Sequence, residues 1–154
     1  MIALVQKVNW ANVFINQSKH SEIKKGILVF LGIANFDDEK DIDYIIRRIE
    51  SLKFFQGVES NFAKTIKEED AEILVVSQFT LYADLKKGTK PSFTKAKNPR
   101  DAKSLYEKFC DKLIHKGYKT KTGCFQEYMQ ISLENDGPVT FNLCSDHLHN
   151  ATKI

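Results

Sequence analysis

The chain has 154 residues, of which 42% are hydrophobic and 28% are charged, a balance typical of one globular domain with its own core. No run approaches the roughly 18 apolar residues of a membrane helix, and no charged segment precedes an apolar one at the N-terminus, so neither membrane insertion nor secretion is expected. The three cysteines, Cys110, Cys124 and Cys144, show no CxxC spacing and fit reduced cytoplasmic thiols better than disulfides or a zinc site.

The net charge of +3 is unevenly distributed along the chain. Residues 86–121 contain twelve Lys or Arg and three acidic residues, whereas the rest contains eleven basic and seventeen acidic residues. Local balances of +9 and −6 favour a polyanionic partner that approaches the middle of the chain. Lysines that only keep a helix surface solvated are the alternative.

The N-terminal part reads as three strands followed by a helix. Strands are predicted over residues 2–8, 11–15 and 27–33, with a short polar connection before the third. Residues 37–54 begin with acidic side chains and carry apolar residues at helical spacing, which predicts an amphipathic helix. Its apolar positions are Ile42, Ile45, Ile46, Ile49 and Leu52.

A buried strand is predicted over residues 73–82, because it opens with the apolar, largely β-branched run Ile73-Leu-Val-Val76. The polar residues Ser77, Gln78 and Thr80 follow this run directly. At the end of a buried strand, backbone N–H groups leave the ladder and can point at a ligand. A strand that simply surfaces into a loop is the alternative.

The C-terminal half reads as one helix followed by strands. A helix is predicted from Asn98-Pro99 to about Lys116, and strands over residues 118–125, 128–134 and 139–144. Asp136-Gly-Pro138 between the last two strands predicts a tight turn. A domain over residues 1–144 with a flexible tail over 145–154 is expected. Because strands outnumber helices, the pattern indicates a sheet-rich α/β fold.

Two motifs, taken together, identify a family that the chain resembles. Ser77-Gln-Phe-Thr-Leu81 and Asn135-Asp-Gly-Pro-Val-Thr140 are similar to the signature motifs of the D-aminoacyl-tRNA deacylases. The resemblance runs from Met1 to about Leu143 and includes Gly26–Gly32, Pro91-Ser-Phe93 and Met129-Gln130. Lys7 and Cys124 depart from the family pattern, which usually has Arg at both positions.

The resemblance implies a compact three-layer β/β/α homodimer in the cytoplasm, with the active site at the subunit interface. It implies hydrolysis of the ester of D-aminoacyl-tRNA and of some glycyl-tRNA, with rejection of L-aminoacyl-tRNA. The catalytic residues carried over are Ser77, Gln78, Phe79 and Thr80. The residues carried over for substrate binding and chiral selection are Gly137, Pro138, Met129 and Asn135, with a cis Gly137–Pro138 bond that reaches the active site of the other subunit.

The candidate chemistry does not need a cofactor. The histidines (His20, His115, His147 and His149) are scattered, so no metal site is expected. Thr80 has no base beside it in sequence, and a hydroxyl without a base is a poor nucleophile. Water attack on an already activated ester, with backbone N–H groups stabilising the oxyanion, fits better.

Two other functions stay open at this point. One is a non-catalytic tRNA or RNA binder that uses the basic region, whose Lys86, Lys87 and Lys90 are the expected phosphate contacts. The other is a thiol hydrolase built on Cys124. The sequence indicates neither the preferred D-amino acid nor a preference among tRNAs.

Overall fold

A long antiparallel strand pair organises the sheet in the computed structural model, which describes residues 1–86 and 88–150. In chain order the elements are β1 (Ile2–Ile15), β2 (Ser18–Ile23), β3 (Gly26–Gly32), α1 (Glu39–Ser51), β4 (Glu72–Ser77), a 3₁₀ turn (Phe79–Tyr82), α2 (Pro99–His115), β5 (Thr120–Thr122), β6 (Gln130–Cys144) and α3 (His147–Asn150).

The two edges of β1 have different partners. One edge pairs antiparallel with β6, from Ile2 opposite Cys144 to Phe14 opposite Gln130. On the other edge, the first half of β1 pairs with β3 and the second half pairs with β2. From β3 the sheet continues through β4 and β5, which are parallel to it. The carboxyl ends of β3 and β4 therefore lie side by side.

Two separate clusters of buried side chains divide the molecule into three layers. Alternate residues of β3 and β4, such as Val29 and Val75, pack against the helices through Ile45 and Phe109. The residues between them, such as Leu74, belong to a second cluster with the far half of β1. Strands buried on both faces explain why their sequences are continuously apolar. The expected β/β/α layering of a sheet-rich α/β fold is confirmed.

Both long helices begin at the predicted signals. Asp38 caps α1 by accepting a hydrogen bond from the Lys40 amide at 2.7 Å, and the Asp41 carboxylate accepts one from the Asp38 amide at 2.8 Å. Asn98 caps α2, and Pro99 is its first residue, where a missing N–H costs nothing. Among the described helices, none is both long and apolar enough to cross a membrane.

The strand predicted over residues 73–82 is wrong in its second half. β4 ends at Ser77, and residues 79–82 turn into a 3₁₀ helix. The Gln78 amide makes the last bond to β3, at 2.8 Å from the Leu31 oxygen. Beyond it, the Gln78 oxygen accepts from the Leu81 amide at 3.3 Å, so the turn satisfies groups that a ladder would otherwise hold.

Other boundaries also differ from the prediction. The strand β2 was not predicted, because its sequence is polar and only Ile23 is buried. The pairs predicted over 2–8 and 11–15, and over 128–134 and 139–144, are each one long strand interrupted by register shifts. β5 covers only three residues of the predicted 118–125.

The start of the predicted tail packs against the domain. Ser145 is fully buried, its amide donates to the Met1 oxygen at 2.9 Å, and its hydroxyl contacts Asp41. The short helix α3 follows, and His149 hydrogen-bonds Asp41 at 2.9 Å. Residues 151–154 of that tail lie outside the described residues.

Candidate functional site

A cleft of about 630 Å³ opens at the carboxyl end of β4. The strand end, the segment that leads into α2 and the β5–β6 loop form its walls. Its lining combines apolar groups, including Leu31, Ile33, Val76 and Ala102, with polar ones, including Ser77, Gln78, Asn98 and Gln126. A cleft beyond the carboxyl ends of parallel strands is a common position for a ligand site.

The sequence around Gln78 produces the sharp turn at the edge of this cleft. Gln78 has φ −143° and ψ 78°, outside regular strand geometry, and the 3₁₀ turn starts directly after it. Gly32 at the end of β3 makes room, because a Cβ there would stand 3.1 Å from the Gln78 oxygen and 3.0 Å from the Leu81 Cβ. The glycine therefore lets the turn lie directly on β3.

The first amides of the turn have no partner inside it. In a 3₁₀ helix the leading N–H groups project from the N-terminal end without an intrahelical acceptor. Within the described part of the chain, no hydrogen bond uses the amides of Phe79 or Thr80. The Thr80 hydroxyl accepts from the side-chain amide of Gln78 and has no base beside it. Main-chain donors are thus available where β4 ends, and a nucleophile–base pair at Thr80 is not.

An aromatic pair stands at the mouth of the cleft. Phe79 is 56% exposed, and its ring meets Phe93 edge-on with centroids 4.8 Å apart. Such T-shaped contacts are favourable beyond the area that they bury. Phe93 belongs to the segment before α2, so the pair fixes the 3₁₀ turn against that segment.

The opposite wall is held by hydrogen bonds to the end of β4. The Val75 oxygen accepts from the Gly123 amide and from the Tyr106 hydroxyl, each at 2.8 Å. Burial raises the pKa of Tyr106, which keeps its hydroxyl protonated and able to donate. The Met129 sulfur accepts from the Cys124 amide at 3.3 Å. These bonds help to hold Met129 in the cleft lining, to which Ser77 also belongs.

Two charged groups, Lys97 and Glu127, line the cleft and were not predicted. Both sit in loops that are remote in sequence from the Ser77 motif, and pairing of distant segments brings them together. The sequence signals near them were the resemblance at Pro91-Ser-Phe93 for Lys97 and at Met129-Gln130 for Glu127. Glu127 is exposed, and it is the one carboxylate among the described residues that line the cleft.

The Asn135–Thr140 segment projects from β6 and does not line this cleft. The Gly137–Pro138 bond is cis, as predicted, and both residues are exposed. Asn135 shapes the segment, because its side chain accepts from the Val139 amide and donates to the Thr140 hydroxyl, both at 3.0 Å. Of the four residues expected for substrate binding and chiral selection, only Met129 reaches the cleft of its own chain.

Lys7 anchors the same segment. Its ammonium lies 2.7 Å from the Asp136 carboxylate, with the Lys7 side chain 11% exposed and the Asp136 side chain 35% exposed. The lysine that departs from the family pattern at this position thus forms a single ion pair with Asp136. Its ammonium is a point charge, whereas an arginine guanidinium could form two parallel hydrogen bonds.

The other candidates lie away from the cleft. Lys86 and Lys90 are exposed on the loop after the 3₁₀ turn, and Lys87 lies outside the described residues. Cys124 is half-buried and is not part of the cleft lining.

One cluster elsewhere has the spacing of metal ligands. Ligand atoms of Asp37, Asp41 and His149 lie within 4.8 Å of one another. The Met1 amino group sits between the two carboxylates, 2.6 Å from Asp37 and 3.9 Å from Asp41. Burial raises the pKa of Asp37, while this amino group acts in the opposite direction.

Comparison with known proteins gives a consistent result. The family model described as D-Tyr-tRNA(Tyr) deacylase matches residues 4–144. The chain is 48% identical to a D-aminoacyl-tRNA deacylase of Thermodesulfovibrio yellowstonii, covering 93% of this chain and 98% of that protein. It is 44% identical to one of Thermosipho melanesiensis, with coverage of 94% and 97%.

Solved structures share the fold. One described as a c-Myc DNA unwinding element binding protein superposes with a TM-score of 0.88 at 38% identity, covering 94% of this chain and 99% of that chain. A probable eukaryotic D-amino acid tRNA deacylase superposes with a TM-score of 0.79 at 16% identity, covering 92% and 98%, and this likeness concerns the fold alone.

Proposed function

The chain belongs to the D-Tyr-tRNA(Tyr) deacylase family, and we propose that it hydrolyses the ester bond of D-aminoacyl-tRNA in the cleft at the end of β4. It is an ester hydrolase that releases free tRNA and the D-amino acid. The observation that supports this location is a pair of backbone amides beside the cleft. Among the described residues, the amides of Phe79 and Thr80 form no hydrogen bond. The alternative of a non-catalytic RNA binder gains no support from the relatives.

The chemistry requires little from side chains. An aminoacyl ester is already activated, so water can attack its carbonyl carbon, and negative charge then develops on the carbonyl oxygen. Amides fixed by a rigid turn can donate hydrogen bonds to that oxygen, an effect often worth several kcal/mol, roughly 3–4 for one donor. The leaving oxygen belongs to the terminal ribose, and the adjacent 2′-OH can relay a proton: it takes one from the attacking water as it gives its own to the leaving oxygen, so that the ribose ends with both hydroxyls intact. We assign the donor role to the main chain of the Ser77–Thr80 motif.

We propose further that the active site is completed by a second copy of the chain. Gly137 and Pro138 are exposed and lie outside the cleft of their own chain, which leaves them available to the cleft of a partner. A closed C2 dimer would place one such segment in each of two equivalent clefts. In that position a rigid backbone would block the side chain of an L-amino acid and admit that of a D-amino acid. Glycine has no side chain to block, so glycyl-tRNA would also be admitted. The reaction is assigned to the cytoplasm.

Turnover separates an enzyme from a binder. With D-Tyr-tRNA in large excess over protein, an esterase releases many equivalents of D-tyrosine at a constant rate. A binder releases no D-tyrosine beyond that from spontaneous hydrolysis.

The Cys124→Ser variant tests the thiol hydrolase alternative in the same assay. We expect its rate to equal that of the unsubstituted protein, because Cys124 does not line the cleft.

A further inference from the structure

The positive charge of residues 86–121 is not uniformly available to a partner. Five of its lysines form ion pairs with acidic side chains at 2.5–3.8 Å: Lys103 with Glu107, Lys108 with Glu39, Lys112 with Asp43, Lys116 with Glu50 and Lys119 with Asp70. Most of these pairs join α2 to α1 or to a neighbouring loop. Paired charges cancel locally, so the body of α2 presents little net positive field.

Six described basic residues of this region form no ion pair, and three of them lie at the mouth of the cleft, whereas Lys86, Lys90 and Lys121 do not line it. Among the described residues, no carboxylate lies within ion-pair distance of Lys95, Lys97 or Arg100. Lys97 lines the cleft, and Lys95 and Arg100 flank it on the exposed surface. We call these three residues the basic rim.

The backbone of Lys95 and Lys97 is held in place by the segment that follows β3. The Asn35 amide donates to the Lys95 oxygen at 3.0 Å, and the Lys97 amide donates to the Ile33 oxygen at 2.9 Å. The Lys97 ammonium donates to the Asn35 oxygen at 2.7 Å. An ammonium has three N–H donors, so two are left for a ligand. The charges are thus presented from a rigid edge of the site.

We propose that the basic rim binds the phosphates of the single-stranded 3′ end of tRNA as it enters the cleft. This inference rests on the proposed function, because the ester lies on the terminal nucleotide and the preceding phosphates must cross the mouth of the cleft. Each phosphate next to Lys95, Lys97 or Arg100 meets a cation that forms no ion pair with the described carboxylates. The rim, and not the α2 lysines, then sets the salt dependence of substrate binding.

The test compares two triple variants that remove equal charge. Lys95→Gln/Lys97→Gln/Arg100→Gln neutralises the rim. Lys24→Gln/Lys53→Gln/Lys67→Gln neutralises three exposed lysines in the loops before β3 and β4, at the end of β4 remote from Ser77. KM and kcat are measured for D-Tyr-tRNA and for D-tyrosyl-adenosine, an ester without phosphates, over a range of salt concentrations.

The slope of log affinity for D-Tyr-tRNA against log salt concentration should be shallower in the rim variant than in the unsubstituted protein. The difference should be about 0.7 for each phosphate contact removed, or about 2 in total. Between about 50 and 200 mM salt, the unsubstituted protein should therefore lose about twentyfold more affinity for D-Tyr-tRNA than the rim variant loses. The control variant should keep the unsubstituted KM and slope. Any loss that the rim variant shows on D-tyrosyl-adenosine should be much smaller than its loss on D-Tyr-tRNA.

Equal losses on both esters, or a salt slope that matches the control variant, would overturn the phosphate role. Either result leaves the proposed function intact. If the unsubstituted protein hydrolyses neither ester, the proposed function itself fails.

Discussion

Thr80 and Glu127 are two side chains near the cleft that could serve as a nucleophile and as a general base, respectively. Thr80 has only the Gln78 amide beside its hydroxyl, and Glu127 is exposed at the cleft. Main-chain donors need neither group. Substituting these two residues therefore distinguishes a mechanism based on positioning from one that uses a covalent intermediate or a general base.

Activity should survive the loss of either group. We expect Thr80→Val and Glu127→Gln each to keep kcat within about tenfold of the unsubstituted value, because only a positioning contact is removed. The measurement is single-turnover deacylation of D-Tyr-tRNA with EDTA present, which also tests for a required metal. A fall to the spontaneous rate in either variant would show that the side chain performs the chemistry.

Lys7 matters through the segment that it anchors. We expect Lys7→Met to leave the partly buried Asp136 carboxylate without its cation and to lower the free energy of unfolding by about 1–2 kcal/mol. The Asn135–Thr140 segment would then be less well positioned, so kcat/KM should fall by about tenfold or more. Thermal unfolding and deacylation kinetics measure the two effects. Lys7→Arg is the matched control, and equal losses in both variants would argue against a simple charge contact.

At the scale of elements, strand and helix interiors were predictable and their junctions were not. The apolar run of β4, the acidic start of α1 and Asn98-Pro99 at the start of α2 act locally, so the sequence reveals them. The polar strand β2 has no apolar pattern, because it pairs through its backbone and leaves most side chains in water. The 3₁₀ turn depends on Gly32, a residue more than forty positions earlier in the chain.

The candidate site follows the same division. Ser77, Gln78, Phe79 and Met129 were predicted from motifs, and the structure brings these four into one cleft. Lys97 and Glu127 were missed, because an isolated charge in a loop shows no pattern and only tertiary pairing places it. Gly137 and Pro138 lie outside their own cleft because of the path of β6, and their place in the cleft of the other subunit, which the resemblance implies, stays a prediction.

Substitutions at two glycines can distinguish effects on the shape of the cleft from effects on the stability of the sheet. A Cβ at Gly123 would stand 2.8 Å from the Met129 sulfur, whose flexible side chain can move into the cleft. A Cβ at Gly26 would stand 2.0 Å from the backbone oxygen of Glu72, where β3 and β4 pair.

We therefore expect Gly123→Ala to raise KM for D-Tyr-tRNA at a stability cost of about 1 kcal/mol, and Gly26→Ala to cost more stability, about 3 kcal/mol or more. Denaturant unfolding and kinetics on both proteins provide the measurement. A Gly123→Ala protein with unchanged KM would show that Met129 does not shape the substrate site.

At the scale of the whole molecule, a site shared between subunits can be tested by mixing. Met129→Trp fills the cleft, and Gly137→Val distorts the projecting segment at a φ of 126° that β-branched residues avoid. The two variants, each inactive alone, are mixed in equal amounts, unfolded and refolded. Half of the dimers that form then contain one chain of each variant, and each such mixed dimer has one intact site. About a quarter of the unsubstituted activity should return. No recovery, together with a monomer of 17.7 kDa in sedimentation, would exclude the shared site.

The central claim is that this cleft hydrolyses the D-aminoacyl ester and rejects its mirror image. The most direct measurement is the deacylation rate of D-Tyr-tRNA, L-Tyr-tRNA and glycyl-tRNA under one set of conditions, with catalytic amounts of protein. We expect rapid hydrolysis of D-Tyr-tRNA, slower but measurable hydrolysis of glycyl-tRNA, and L-Tyr-tRNA that decays only at its spontaneous rate. Hydrolysis of L-Tyr-tRNA as fast as D-Tyr-tRNA, or of neither, would contradict the account.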